Sequence, residues 1–204
     1  MTRFPRGFYN RRVHILLTND DGILAPGLAA LYRELTALGR VSVVAPDTVQ
    51  SASGHGITVR EPLVARRIHA HNLFHGWAVA GRPADCVKLA VAELLETRPD
   101  LVVSGINDGA NVAVNVLYSG TVAAAAEGAI LGIPAVAVWL EWVDELDFAG
   151  AARIAGKLVG HFAGAVQAGQ APCPLLNINV PDLTGGPPRG LSVVPQAVLR
   201  VRDQ

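Results

Sequence analysis

Cysteine, net charge and long hydrophobic runs are all scarce in this 204-residue sequence. The two cysteines, Cys86 and Cys173, lie far apart and outside any metal-binding or redox spacing, which favours reduced thiols and a cytoplasmic location. The 17 basic and 17 acidic side chains balance, whereas a nucleic-acid-binding protein would show a basic excess. The apolar segments are too short, or too interrupted by glycine and proline, to cross a membrane. We therefore expect a soluble protein that binds neither nucleic acid nor membrane.

Hydrophobic residues, in contrast, make up half of the sequence. That proportion, in a chain of this length, is enough for one well-buried α/β domain, and we expect residues 1–204 to form a single domain. Residues 1–12 are basic but contain no apolar core segment, so a secretory signal is not expected there. No internal repeat, low-complexity tract or linker divides the chain.

Strand-like and helix-like segments alternate along the sequence. This alternation predicts βαβ units and a three-layer, doubly wound, mostly parallel sheet of the Rossmann-like type. Strands are expected at residues 13–17, 41–44, 57–59, 63–68, 73–79, 101–103, 135–138 and 176–180, and helices at residues 26–38, 83–95, 119–131 and 148–168.

The most informative motif is Asn19-Asp20-Asp21-Gly22, directly after the first apolar run. A short apolar run bounded by turn residues is typical of a buried parallel strand. Ligands bind at the carboxyl edge of such sheets, so the two adjacent carboxylates lie at the functional edge. Their mutual repulsion near a protein interior is relieved by a hard divalent cation. The alternative is ordinary turn chemistry, in which Asp and Gly simply close a strand.

Two further polar loops should open on the same edge of the sheet. One of them contains the side chains Asp47, Ser51, Ser53 and His55; the other, residues 104–111, contains Asn107 and Asn111. Carboxylate, hydroxyl and amide oxygens without a His or Cys cluster suit Mg²⁺ or Mn²⁺ better than Zn²⁺. For each asparagine alone, a turn role remains open.

The helix after the third loop begins with Ser119-Gly120-Thr121. Serine at a helix start is usually an N-cap. The same helix start also directs free N–H groups and the positive end of the helix dipole towards the sheet edge, where a phosphate could bind. A divalent cation beside such a site indicates phosphate ester hydrolysis.

Rival enzyme classes fit this pattern less well. A haloacid-dehalogenase-type phosphatase needs a second Asp two positions after its nucleophilic Asp, but Gly22 stands two positions after Asp20. A dinucleotide-binding dehydrogenase needs Gly-x-Gly-x-x-Gly after a strand, and no predicted strand is followed by it.

The chain resembles the SurE family of survival-protein nucleotidases, nearly continuously from residue 13 to about residue 140. The motifs that carry the resemblance are specific in combination. They are residues 15–22 with Ala25-Pro26-Gly27, residues 43–47 with 51–55, residues 81–87, residues 99–107 with Asn111, residues 118–125 with Glu127-Gly128, and the later segment 176–181.

This resemblance implies a metal-dependent enzyme that hydrolyses nucleoside 5′- and 3′-monophosphates, with polyphosphate as a further substrate of some members. The metal ligands of the family, one Mn²⁺ or Mg²⁺ per subunit, fall on Asp20, Asp21, Ser51 and Asn107. The phosphate-binding positions fall on Asn111, Ser119, Gly120 and Thr121, and the catalytic set is Asp20, Asp21, Asn111 and Ser119. His55 is then a loop residue rather than a ligand. The alternative is a catalytically weak nucleotide- or phosphate-binding protein with the same fold.

Three departures from the family pattern are visible. Residues 112–117 are apolar where the family has an acidic, glycine-containing stretch, and Arg82 replaces a small polar residue. The family's C-terminal extension, a subunit-exchanging hairpin and last helix, is largely absent; only its expected beginning, residues 191–201, is present. The resemblance implies a homodimer, and we expect the shorter C-terminus to weaken it.

Overall fold

A computed structural model describes residues 12–197 of the chain. Strands and helices alternate along most of it, as the sequence predicts. The strands are β1 (Val13–Thr18), β2 (Gly39–Pro46), β3 (Val64–Ala70), β4 (Phe74–Ala80), β5 (Leu101–Asp108), β6 (Ala135–Leu140) and β7 (Leu175–Val180). The helices are α1 (Pro26–Leu35), α2 (Pro83–Leu89), α3 (Gly120–Ile130) and α4 (Phe148–Gln167); a π-helical turn follows α2 at Ala90–Leu94, and a 3₁₀ helix spans Ala113–Leu117.

The seven strands form one sheet in the order β3-β4-β2-β1-β5-β6-β7. Every neighbouring pair is parallel except β3 with β4. Helices α1 and α4 pack together on one face, and α2 and α3 pack together on the other. The predicted α/β class, with a doubly wound and mostly parallel sheet, is confirmed. Because the chain turns to opposite sides of β1 when it enters β2 and β5, the carboxyl end of β1 is a topological switch point.

The central strands are buried on both faces, which explains their continuous apolar sequences. All six residues of β1 and all six of β6 are buried. One cluster of buried side chains fills the α1/α4 layer and a second fills the α2/α3 layer.

Among the helices of residues 12–197, none combines the length and the apolar character that a membrane span requires.

The predicted strand at residues 57–59 is wrong. The N–H of Thr58 donates to both carboxylate oxygens of Asp85, at 3.0 and 3.1 Å, and its hydroxyl donates to Oδ2 at 2.7 Å. Because a side chain at the start of α2 takes these hydrogen bonds, the segment does not join the sheet ladder.

Other predicted segments differ at their ends; the helix expected over residues 26–38, for example, ends at Leu35. The helix expected over residues 83–95 has α-helical geometry only to Leu89 and continues as the π-helical turn. Residues 191–197, the described part of the expected hairpin start, form neither strand nor helix, and residues 198–201 lie outside the described residues.

Candidate metal and phosphate site

The Asp20–Asp21 pair lies where β1 ends. The Nδ2 atom of Asn19 donates to the carbonyl oxygen of Gly22 at 3.0 Å and closes the turn. Gly22 has a φ of +95°, a left-handed backbone conformation that residues with a side chain rarely adopt. The turn leaves Asp20 buried, with 4% of its surface exposed, and Asp21 partly exposed.

The Asp20 carboxylate is held by donors from two other elements. Its Oδ1 accepts from Nδ2 of Asn107 on β5 and from the hydroxyl of Thr121 on α3. Its Oδ2 accepts from the N–H of Thr121 at 3.1 Å. The carboxylate thus lies at the amino end of α3, where the helix dipole stabilises negative charge.

Gly120 permits this close approach between α3 and the end of β1. A Cβ atom at this position would lie 2.8 Å from Cβ and Oδ2 of Asp20 and 2.8 Å from Oγ of Ser53. Any side chain here would force α3 away from the carboxylate, so the glycine is a requirement of the site's geometry.

A bulge in β5 determines where Asn107 lies. The register of β5 with β6 shifts between Ser104 and Asn107, and Gly105 in the bulge has a φ of +130°. Beyond the bulge, Asn107 pairs with Trp139 of β6. Bulges redirect side chains in this way next to functional sites. The strand therefore extends to Asp108, whereas the sequence predicted a strand only over residues 101–103 and a polar loop over residues 104–111.

These elements surround a cavity of about 260 Å³ at the carboxyl ends of β1 and β5. It brings together six of the predicted site residues and five further residues. The predicted ones are Asp20, Asp21, Ser51, Asn107, Asn111 and Ser119; the others are Ala52, Asp108, Asn115, Tyr118 and Trp139.

Four residues singled out in the sequence take positions of a different kind. Gly120 and Thr121 are not part of the cavity lining, and both touch Asp20 instead. Asp47 does not line this cavity. Its Oδ2 atom lies 3.4 Å from Nη2 of Arg66. His55 is also outside the lining, as expected of a loop residue: its Nε2 lies 2.8 Å from Oε2 of the buried Glu127.

The loop that carries Ser51 is fastened at both ends. The N–H of Gln50 donates to the carbonyl oxygen of Asp20 at 2.7 Å, and the N–H of Gly54 donates to that of Tyr118 at 3.0 Å. The His55–Glu127 contact adds a link to α3. These contacts hold the loop beside the Asp pair.

Negative charge in the cavity lacks a cationic partner within residues 12–197. No lysine or arginine of residues 12–197 lines it, although three carboxylates do. Burial, followed by the neighbouring charges of Asp20 and Asp108, raises the pKa of Asp21 to about 6. A bound cation would reverse this effect, because opposite charge favours the ionised carboxylate.

Two amide oxygens in the lining are also unsatisfied. Oδ1 of Asn107 and Oδ1 of Asn111 are buried, and neither has a hydrogen-bond partner among the described residues. Buried acceptors of this kind are usually satisfied by water, an ion or a ligand. Within residues 12–197, no group of three or more His, Cys, Asp or Glu side chains is placed to bind a metal. The oxygen donors that line the cavity are carboxylates, amides and hydroxyls, a set that fits Mg²⁺ or Mn²⁺.

The cavity lining also includes residues to which the sequence gave no separate role. Asp108 lies inside the predicted polar loop 104–111 and Tyr118 inside the motif 118–125, whereas Asn115 belongs to the apolar stretch 112–117. Only the folded path of residues 108–119 brings all three to the cavity. Trp139 could have been found, because it is near the carboxyl end of a predicted parallel strand, the edge at which ligands bind.

The sequence of this chain is similar to those of known proteins. Residues 15–203 match the family described as "Survival protein SurE". The "5'-nucleotidase SurE" of Rhodopirellula baltica is 51% identical over 187 residues, covering 91% of this chain and 73% of that protein. The "5'-nucleotidase SurE" of Syntrophobacter fumaroxidans is 47% identical over 192 residues, covering 94% of this chain and 76% of that protein.

The fold of the chain is also similar to that of a solved structure. The crystal structure of the SurE protein from Aquifex aeolicus matches with a TM-score of 0.72 and 41% sequence identity, over 82% of this chain and 66% of that one. The chain thus spans about three quarters of the length of the two sequence relatives and 66% of the Aquifex chain. On the family match and these identities, the chain belongs to the SurE family.

Proposed function

We propose that this chain is a divalent-metal-dependent phosphomonoesterase that hydrolyses nucleoside 5′-monophosphates to nucleoside and phosphate. The observation that carries the proposal is one cavity in which uncompensated carboxylates, unsatisfied amide oxygens and a helix amino terminus converge. The sequence relatives named 5'-nucleotidase SurE support the choice of substrate class.

The residues that would hold the metal are Asp20, Asp21, Ser51 and Asn107. When bound, the ion would supply Lewis-acid polarisation of the phosphoryl group and a lowered pKa for a water molecule. Thr121 and Asn107 orient the Asp20 carboxylate by donating to it. Asp21 contributes the second negative charge and a more accessible oxygen.

The residues that would hold the phosphate are Asn111, Ser119 and Gly120. Oγ of Ser119 accepts from the N–H of Val122 at 2.9 Å, so its hydroxyl proton remains available to donate to a phosphoryl oxygen. Thr121, which the resemblance also assigns to the phosphate, donates its N–H and hydroxyl to Asp20. Its part in the proposal is therefore to position Asp20, and the backbone donor proposed for the phosphate at the start of α3 is the N–H of Gly120.

A panel assay tests the proposed function. Purified protein is incubated with Mn²⁺ and nucleoside 5′-monophosphates, nucleoside 3′-monophosphates, a generic phosphate ester or polyphosphate, and released phosphate is measured. We expect turnover of the 5′-monophosphates, and the 3′ and polyphosphate arms decide the breadth of the activity. Tight nucleotide binding without turnover of any ester would contradict an enzyme and support the binding-protein alternative.

Two further properties, the oligomeric state and the cellular location, are proposed. A homodimer is proposed, because large apolar side chains such as Leu191, Val193 and Val194 are exposed. Sedimentation velocity that gives a monomer at all concentrations would refute the homodimer.

A cytoplasmic location is proposed because Cys86 and Cys173 are both free thiols, and cell fractionation tests this location.

The Ser119→Ala variant distinguishes a phosphate-binding serine from a simple helix cap. Loss of the cap should cost about 1 kcal/mol of stability. Loss of a charge-assisted hydrogen bond to phosphate should cost a further ~1.5–3 kcal/mol in binding, which corresponds to roughly a tenfold to hundredfold fall in kcat/KM. Inhibition by inorganic phosphate should weaken in parallel, and Asn111→Ala should behave likewise and combine non-additively with it.

The matched control is Asp147→Ala. Oδ1 of Asp147 caps α4 by accepting from the N–H of Gly150 at 2.7 Å, and Asp147 does not line the cavity. This control should lower the melting temperature by a similar amount and leave the kinetics unchanged. If Ser119→Ala matches the control in both respects, Ser119 is only a cap.

A further inference from the structure

The backbone of Asn111, the asparagine that would bind the phosphate, is held by side chains of strand β7. Asn111 lies between β5 and the 3₁₀ helix, outside regular structure, and only 5% of its surface is exposed. Its buried N–H and C=O groups therefore need partners from elsewhere in the fold. Two asparagines of β7, Asn177 and Asn179, supply them.

The contacts cover both backbone groups of Asn111. Its N–H donates to Oδ1 of Asn179 at 2.8 Å. Its carbonyl oxygen accepts from Nδ2 of Asn179 at 3.2 Å and from Nδ2 of Asn177 at 2.9 Å. One primary amide thus bonds to both sides of the same residue, and a second amide repeats one of the bonds.

The strand geometry explains why two asparagines can act on one residue. Residues two apart on a strand project from the same face, so the side chains of Asn177 and Asn179 lie side by side. Asn179 is in register with Trp139 of β6, which is in register with Asn107 of β5. The sheet therefore places Asn179 in line with two residues of the cavity lining, and Asn177 lies two positions before it on the same face.

The side chain of Asn111 has little to orient it from within the chain. Its Oδ1 is buried without a hydrogen-bond partner among the described residues, while Asn111 lines the cavity. Its direction depends on the backbone to which it is attached. A binding group must be held close to its productive geometry by surrounding hydrogen bonds, or its contribution falls sharply.

We propose that Asn177 and Asn179 are positioning residues of the phosphate site, which fix the backbone of Asn111 so that its amide faces the phosphoryl group. The inference rests on the proposed function, because it takes Asn111 as a phosphate ligand. It assigns a role in substrate binding to an edge strand that lies outside the cavity lining. The competing explanation is that the two amides only fasten the loop to the sheet and affect stability alone.

A double-mutant cycle separates these explanations. The paired substitution Asn177→Ala with Asn179→Ala is made in the natural sequence and in an Asn111→Ala background. For each protein, kcat/KM for a nucleoside 5′-monophosphate is measured, and the Kd of inorganic phosphate is measured calorimetrically with Mn²⁺ present. In the natural background we expect kcat/KM to fall about tenfold and the phosphate Kd to rise by a similar factor. In the Asn111→Ala background the same pair should change both by less than about twofold, because the group being positioned is gone.

Two additional variants guard against unfolding and non-specific effects. Asn177→Ala alone removes one of the two bonds to the carbonyl oxygen and should produce a smaller effect of the same kind, about threefold. Glu141→Ala is the matched control: Oε2 of Glu141 accepts from the N–H of Asp182 at 3.0 Å near the end of β7, and among the described residues Glu141 makes no hydrogen bond to Asn111. It should leave both measurements unchanged.

Each outcome decides the matter. A paired effect that is equally large in both backgrounds, or absent from both, overturns the positioning role. If Asn111→Ala itself changes neither measurement, the assignment of Asn111 to the phosphate fails and the inference fails with it. An effect of Asn111→Ala that is not shared by the β7 pair refutes only the inference.

Discussion

Exhaustive chelation with EDTA should abolish phosphate release from a nucleoside 5′-monophosphate, and added Mn²⁺ or Mg²⁺ should restore it. The reason is the composition of the cavity, in which Asp20, Asp21 and Asp108 meet without a lysine or arginine from residues 12–197. Without a cation, the pKa of Asp21 lies near 6, owing first to burial and then to the adjacent carboxylates. The negative charge of a phosphate ester would be repelled by these groups unless a cation lay between them.

A readout that does not depend on turnover accompanies the assay. A ligand that binds only the folded state raises its stability, so Mn²⁺ should raise the melting temperature of the chelated protein in a concentration-dependent way. EDTA already saturated with Mg²⁺ serves as the control for effects of the chelator itself. Full activity after exhaustive chelation, together with no melting shift on adding metal, would rule out the proposed metal site.

The central architecture was accessible from sequence because burial on both faces leaves a simple signature. The apolar residues of β1 and β6 form continuous runs between turn residues, which is typical of parallel strands covered by helices on both sides. The carboxyl ends of such strands meet at one edge, so polar residues after them converge. The approximate positions of Asp20, Asn107 and Ser119 follow from these two facts.

The remaining details arise from contacts between segments distant in sequence. Residues 57–59 were predicted to form a strand, but Thr58 instead donates to the Asp85 carboxylate, 27 positions later in the sequence. Thr121 was expected to face a phosphate, and its N–H instead meets Asp20, 101 positions earlier. The bulge of β5 at Gly105, which directs Asn107, depends on pairing with β6. No local pattern encodes such pairings.

The Asp20→Asn variant should lower kcat by about a hundredfold or more, the scale on which a central electrostatic element acts. The substitution nearly preserves shape, so its effect reports charge and hydrogen bonding. In the natural protein both carboxylate oxygens accept: Oδ1 from Asn107 and the Thr121 hydroxyl, and Oδ2 from the Thr121 N–H. An asparagine has one acceptor oxygen and one NH₂ group. With its NH₂ group at the Oδ2 position the amide meets the Thr121 N–H, and with its NH₂ group at the Oδ1 position it is satisfied only when the Thr121 hydroxyl or the Asn107 amide turns to accept.

Two consequences beyond the rate follow from that mismatch. The melting shift produced by Mn²⁺ should shrink strongly, because a charged oxygen ligand is lost. The metal-free protein should lose about 1–3 kcal/mol of stability, the usual cost of an unsatisfied buried donor. Relief of the repulsion between Asp20 and Asp21 offsets part of this cost, so the sum is expected at the lower end.

Asp47→Asn is the matched control, because Asp47 also follows a parallel strand of this sheet but lies outside the cavity. Its Oδ2 atom lies 3.4 Å from Nη2 of Arg66 on β3, whose side chain is exposed. An ion pair at such a surface position contributes little to stability. This variant should retain its kcat and its Mn²⁺-induced melting shift. If Asp20→Asn and Asp47→Asn behave alike in both measurements, the carboxylate at the end of β1 is not the centre of the site, and its contacts with α3 serve the fold alone.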